Sequence, residues 1–430
     1  MKKNVYVLGL LDWQLDELET IRDADLCRFH SLLNNAELMD HEAGFDELLK
    51  RARRQLNESD KPDAIVCHWD FPSSCLAPIL ATEYGLATPT LEAVLRCEHK
   101  YWARIEQKKA APECIPEFEA VDPFDPEAPD KLTLDFPIWL KPVKGFASQL
   151  GFRVNDRAEL EKALEEMREG IGALGHIFDE CLDRVELPPE VKGIGGSHAI
   201  AEEIMNGVQF AHEGYVRNHK VTIHGVLDMM LGAGGKTVLG LRYPADLPDS
   251  LKERASDAGR RIMEQVGYDN GCFNIEFLYD EDDDKLWVIE VNTRISQSHC
   301  ELFRKVDGCS NHEIAVSVAL GDEPTLPEQK GEAKTAAKFY LTKPDDAEVT
   351  REPDKNEIAE LAKEFGVLLE FEAHRGDRLS NLPNQPVYCY NVGYAWLGAE
   401  SPARLRERYR DLVTRIPIEF SDGKQLSAEE

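Results

Sequence analysis

Cys-x-x-Cys pairs are absent from the sequence although it holds ten cysteines, and their spacing shows no disulfide framework. A chain of 430 residues can bury a sizeable core and has no need of such staples, so the cysteines point to a reducing, cytoplasmic setting. No uninterrupted apolar run reaches the ~20 residues of a membrane span. Positive charge is scarce as well: 50 Lys and Arg stand against 80 Asp and Glu, a formal charge of −30. Long-range attraction to nucleic-acid phosphates or an anionic membrane then has the wrong sign, so neither is expected as a partner. Phosphate loops rich in glycine are also missing. The first strand is followed by Gly9 alone rather than by G-x-G-x-x-G, and in "GAGGKT" (232–237) the first glycine of a P-loop falls at Met230 with no helix after it. That stretch reads as a turn between strands. His299 and Cys300 are adjacent with no second pair at zinc spacing, which argues against a metal role there.

What is present is an alternation of strands and helices. "NVYVLGLL" reads as a strand, with acids soon after it and no small-residue cleavage site of a signal peptide, and "LDELETIRDA" follows with helical spacing. "DAIVCHWD" (63–70) is a second strand, with a helix in "SCLAPILATEYG" behind it. A parallel α/β domain is expected over residues 1–95. One helix is expected over 90–110, then a proline- and acid-rich linker with one short strand. "FPIWLKPVKGFASQLGFRV" (136–154) has the form strand, small-residue loop, strand, and an amphipathic helix follows in "RAELEKALEEMREGI". "HAIAEEIMNGVQFAHEGYV" (198–216) reads as two strands with a turn at Asn206 and Gly207. A last α/β segment begins near residue 331.

The densest signal is "CFNIEFLY", an acidic turn "DEDDDK", and "LWVIEVNTRISQSH". In an antiparallel hairpin opposite residues have numbers with a constant sum, so a turn centred near Asp283 sets Glu276 against Glu290 and Asn274 against Asn292. Residues two apart share a face, and Glu290, Asn292 and Arg294 therefore project the same way. Like charges directly opposite destabilise a sheet. The plain alternative is that both acids point to solvent, yet "LWVIEVN" must bury its other face. A divalent cation would remove the repulsion, since carboxylates and an amide oxygen are ligands of the kind Mg²⁺ takes, with Mn²⁺ as an alternative ion. Same-face residues lie roughly 7 Å apart along a strand, so Arg294 reaches past the metal toward a transferring phosphoryl group.

These residues resemble the metal-binding signature of the ATP-grasp superfamily, near its biotin-carboxylase-like, carboxylate-amine ligase branch. Three earlier segments fall in the family's order. "CEHKYWARIEQKKAAPECIPEF" is similar to the helix whose lysine binds ATP phosphate, here Lys100; "IWLKPVKGFASQLGFRV" to the second ATP lysine, Lys141, and the lid loop with Ser148; "AEEIMNGVQF" to the strand that holds adenine. The resemblance implies adenine contacts at Glu202, Glu203, Ile204 and Met205, ribose contact at Gln209, metal ligands at Glu276, Glu290 and Asn292, and Arg294 as the catalytic residue. It implies a lid subdomain at 136–205 after a connecting helix and linker at 96–135, a C-terminal ATP-grasp subdomain with the metal site at 206–330, and an added α/β segment at 331–430. The fold class is then α/β, with α+β character in the ATP-grasp part, and the lid loop from Gly145 to Gly151 would close over the phosphates.

The implied activity is ATP-dependent formation of an acyl phosphate from a small carboxylate, followed by attack of an amine, with ADP and phosphate released. Two departures bear on this. Gln209 stands where the family often has a ribose-binding glutamate, and Ser298 stands where biotin carboxylases have a glutamate base, which argues against bicarbonate carboxylation. A carboxylase, an acid-thiol ligase and a non-catalytic ATP-binding regulator stay open as alternatives, as does a homodimer, since dimers are common among the relatives.

Overall fold

In the computed structural model the described residues are 2–40, 43–145, 150–232, 238–325, 330–383 and 389–427. Ser148 and most of the small-residue loop lie outside them, as do residues 233–237 of "GAGGKT". The chain divides into two compact units, one of residues 1–224, 248–296 and 312–325, the other of 225–247, 297–311 and 326–430.

The first unit begins with the expected parallel sheet. Strands β1 (Lys3–Leu8), β2 (Cys27–Leu32) and β3 (Ala64–Cys67) run in the order β2-β1-β3, with helices at Asp12–Thr20, Phe45–Asn57 and Ser73–Glu83. Val5, Val7, Ala64 and Val66 pack into one core with Leu18 and Ile21. The helix Ser73–Glu83 is apolar on nearly all sides and is buried accordingly.

The helix expected over 90–110 is two helices, Leu91–Glu98 and Lys100–Ala110, broken at His99. The break has a local cause. His99 sits at ψ 96°, its Nδ1 accepts from the Trp102 N–H at 3.1 Å as an N-cap, and Nε2 lies 2.8 Å from the Ile194 carbonyl. The Lys100 N–H, diverted from the helix, donates to the Val143 carbonyl at 3.2 Å. Lys100 thus opens a helix instead of lying within one.

A four-stranded antiparallel sheet follows, in the order β4 (Phe118–Val121), β7 (Ala199–Glu203), β5 (Ile138–Pro142), β6 (Phe152–Val154). The helix Arg157–Gly170 covers it with Leu160, Ala163, Leu164 and Met167, packed on Ile138, Leu140, Val154 and Ala201. Two strands flank Asn206 and Gly207 as expected, but they serve different sheets, since β8 (Val208–Arg217) pairs with the later strand Gly271–Asp280 rather than β7. Gly207 has φ 130°, and a Cβ there would meet the Tyr279 carbonyl oxygen at 2.3 Å, so only glycine fits the crossing. The chain then runs through β9 (Lys220–Leu231), which leaves this unit at Gly225, and β10 (Val238–Tyr243) of the second unit. It returns with the helix Asp249–Val266 and the hairpin of β11 (Gly271–Asp280) and β12 (Lys285–Asn292).

The second unit is built on antiparallel strands in the order β10, β13 (Thr335–Lys343), β16 (Tyr390–Ala399), β15 (Leu368–Phe371), with β14 (Val349–Arg351) paired to β17 (Glu419–Phe420). Helices Lys355–Phe365 and Pro402–Val413 close its core, among them Phe339, Leu341, Leu361, Leu397, Leu405 and Leu412. Asp354 caps the first by accepting from the Asn356 and Glu357 N–H groups, and Gly366 ends it at φ 58°.

Candidate active site

The hairpin has the register read from its alternation: Glu276 faces Glu290 and Asn274 faces Asn292. It is not uniform, because Phe277 pairs with Val288, which leaves Ile289 as an extra residue in β12. A bulge turns carbonyls out of the ladder, and here they are taken up by one side chain. Arg104 donates from Nη1 to the Val288 carbonyl and from Nη2 to the Ile289 carbonyl, both at 2.9 Å. The helix that Lys100 opens is in this way fixed to the strand that carries Glu290.

Arg104 also anchors a buried acid. Its Nε lies 2.6 Å from Glu202 Oε1, while Lys141 Nζ lies 2.8 Å from Glu202 Oε2, and the Glu202 side chain is fully buried. Burial alone would raise the pKa of this carboxyl, but Arg104 and Lys141 outweigh it and hold Glu202 at about 2. A second buried pair joins Lys144 to Glu98, which also accepts from the Thr293 hydroxyl at 3.1 Å. The Lys144 ammonium lies 5.2 Å and 5.4 Å from the ring centres of Phe71 and Phe178. A third pair is bidentate: Arg294 Nε and Nη2 donate to the two Asp70 oxygens at 2.8 Å and 3.0 Å.

The charged side chains of these three pairs and Arg104 line one cavity of about 350 Å³, together with Lys100, Gln107, Gly145, Glu276, Glu290 and Asn292. Five cationic and five acidic side chains face it, so the walls carry no net charge to offset a polyanion. A triphosphate would have to arrive with its own cation. The charges are not evenly matched in detail. Glu202, Glu98 and Asp70 each have a close cationic partner, whereas Glu276 and Glu290 face each other, with Lys100 Nζ 3.9 Å from Glu290. Burial first, and the opposing Glu290 second, push the Glu276 carboxyl up to about 7. Burial lowers the Lys100 pKa, against the pull of Glu290, and its ammonium donates to the Gly145 carbonyl at 2.7 Å.

The donor set at the hairpin fits a divalent cation. Gln209 donates to Glu276 Oε2 at 2.7 Å, and Asn292 Nδ2 lies 3.3 Å from Glu276 Oε1 and 3.4 Å from Asn274 Oδ1. The Asn292 amide therefore spends its N–H groups on neighbours and keeps its oxygen for a ligand. Two carboxylates and that oxygen are hard donors.

Residues 134–301 match the family model of the ATP-grasp domain. Over those residues the chain is similar to the ATP-grasp superfamily. A D-alanine–D-alanine ligase of Synechococcus sp. is 28% identical over 161 residues, which are 37% of this chain and 40% of the length of that ligase. An L-amino acid ligase from Bacillus licheniformis superposes with a TM-score of 0.69 at 18% identity, covering 97% of this chain and 98% of the other. The biotin carboxylase domain of the 2-oxoglutarate carboxylase from Hydrogenobacter thermophilus, solved with magnesium ADP, ADP and bicarbonate, gives a TM-score of 0.61 at 15% identity, with coverages of 99% and 92%. At these identities the likeness concerns the fold, which is shared over nearly the whole chain.

The cavity brings together Lys100, Lys141, Glu202, Glu276, Glu290, Asn292 and Arg294. Arg294 lies just beyond the end of β12 at Asn292 instead of within the strand. Gln209 stands one hydrogen bond behind the cavity, on Glu276. Glu203, Ile204 and Met205 are not among its lining residues; Glu203 is exposed and its N–H bonds the Glu117 carbonyl at 2.9 Å. Asp70, Glu98 and Arg104 are the groups that sequence reading missed. Asp70 alone left a trace, as the polar end of a strand before Phe71 and Pro72.

Proposed function

We propose that this protein is an ATP-dependent ligase that phosphorylates a small carboxylate and joins the acyl group to an amine, with ADP and phosphate as the other products. The observation that carries this reading is the Glu276–Glu290 pair, set opposite across a hairpin on a cavity that also holds Lys100, Lys141 and Arg294. Magnesium ADP in the Hydrogenobacter structure is in keeping with it.

Glu276, Glu290 and Asn292 would hold Mg²⁺, or Mn²⁺. Bound there, the ion would neutralise the two carboxylates and draw charge from the phosphates. Lys100 and Lys141 grip phosphate oxygens, Lys141 held in place by Glu202 and Lys100 at the start of its helix, where the helix dipole also favours an anion. A carboxylate oxygen attacks the γ-phosphorus and ADP leaves. Arg294 stabilises the charge on the acyl phosphate and on the transition state that forms it. The amine nitrogen then attacks the acyl carbon, loses a proton, and phosphate departs. Residues 202–205 and Gln209 serve adenine and ribose, and Ser148 a phosphate. The enzyme acts by positioning and electrostatics, with no covalent enzyme intermediate.

The test is a screen of carboxylic acids with Mg-ATP and hydroxylamine. An acid that is a substrate yields its hydroxamate in equal amount to ADP. ADP release that depends on bicarbonate alone, or no release with any acid, would overturn the ligase reading.

A further inference from the structure

The five acids of the cavity differ in what remains for a ligand. Glu202 is fully buried between Arg104 and Lys141. Glu98 is held by Lys144 and Thr293. Glu276 and Glu290 face each other on the hairpin. Asp70 stands apart from all four. It follows β3, at the carboxyl end of a parallel strand, where open α/β sheets present their ligand crevice. Its side chain keeps 35% of its surface exposed, and the arginine it grips, 18% exposed, is the one assigned to the acyl group.

This ion pair is a charge pattern that a zwitterion matches. A plain carboxylate drawn to Arg294 meets Asp70 as a competitor and leaves that acid without its partner, which is costly in a partly desolvated site. A carboxylate that bears an ammonium on the neighbouring carbon exchanges one pair for two: its carboxylate takes the guanidinium, and its ammonium takes Asp70. We infer that the acid activated at this site is an α-amino acid, with Asp70 binding its ammonium group beside Arg294. The assignment rests on the ligase reading above and names the substrate class of the same site.

The experiment compares matched pairs in the hydroxylamine assay, alanine with propionate and leucine with 4-methylpentanoate, on the full chain. The wild-type protein is expected to favour the amino acid of each pair in kcat/KM by at least about tenfold, the usual scale for a charge-assisted contact. Asp70→Asn should cut that ratio by about 10- to 100-fold, while Asp70→Glu, which retains the charge, should keep most of it. A merely structural Asp70 would lower both members of a pair alike and leave the ratio unchanged, and that result overturns the assignment. So does a wild-type protein that traps propionate as readily as alanine, a measurement that needs no variant to fold. Absence of hydroxamate from every acid, by contrast, defeats the ligase reading itself.

Discussion

Two clusters of buried charge lie within one cavity and behave in opposite ways. Around Glu202, two cations serve one acid, and its carboxyl sits at about 2. Around Glu276, two acids face each other and the carboxyl is pushed up to about 7. The first cluster is complete as it stands and joins a helix, a strand of the four-stranded sheet and a bulged hairpin. The second lacks positive charge, and a divalent cation would supply it. Rigidity and binding capacity are thus separated into neighbouring side chains: the saturated acid fixes the frame, and the under-compensated pair keeps capacity for a cation.

The largest effect should come from breaking the saturated cluster. Arg104→Met leaves Glu202 buried beside Lys141 alone and frees the Val288 and Ile289 carbonyls, so unfolding in urea should show a loss of on the order of 3 to 5 kcal/mol. A loss below about 1 kcal/mol would mean that the cluster is not an anchor.

The open cluster should respond to pH with the reverse sign. An acid whose folded pKa lies above its unfolded value binds extra protons when folded, so metal-free stability should fall as pH rises from about 4.5 to about 7 and level off beyond. The decline attributable to this site is on the order of 3 kcal/mol, and Glu276→Gln should flatten it. Added Mg-ADP should restore stability above pH 7 in the wild type and do so less in Glu276→Gln. A metal-free profile that Glu276→Gln leaves unchanged would remove the repulsion between the two acids.

The smallest effect is expected at Gln209. Its amide donates to Glu276 and favours the carboxylate form, so Gln209→Leu should weaken Mg-ADP binding about 3- to 10-fold in calorimetry and raise the pH at which binding sets in. Unaltered binding at every pH would detach Gln209 from the metal site.

How much of this was legible depended on the range of the contacts. The hairpin register followed from alternation, because period two and an acidic turn fix which side chains face each other. The β1 and β3 strands showed as apolar runs, but β2, with four of its six residues exposed or half-buried, gave no such run. The helix break at His99 was hidden, since it depends on a ring nitrogen and on the carbonyls of Ile194 and Val143, far along the chain. For the same reason the cavity's counter-charges stayed out of view. Arg104 meets Glu202 and the bulge, and Asp70 meets Arg294, across 98 to 224 residues of chain, and no local pattern marks such partners. Family resemblance supplied the lysines and the hairpin acids, which recur in fixed order, and was silent on their buried partners.

The most direct test of the facing acids as a metal platform is Mn²⁺ binding followed by electron paramagnetic resonance at pH 8 with ADP present. The wild-type protein should hold the ion at least about tenfold more tightly than Glu276→Gln or Glu290→Gln, with both variants folded, as expected for the loss of one charged ligand. Equal Mn²⁺ affinity in all three proteins would contradict the metal role of the hairpin and the function built on it.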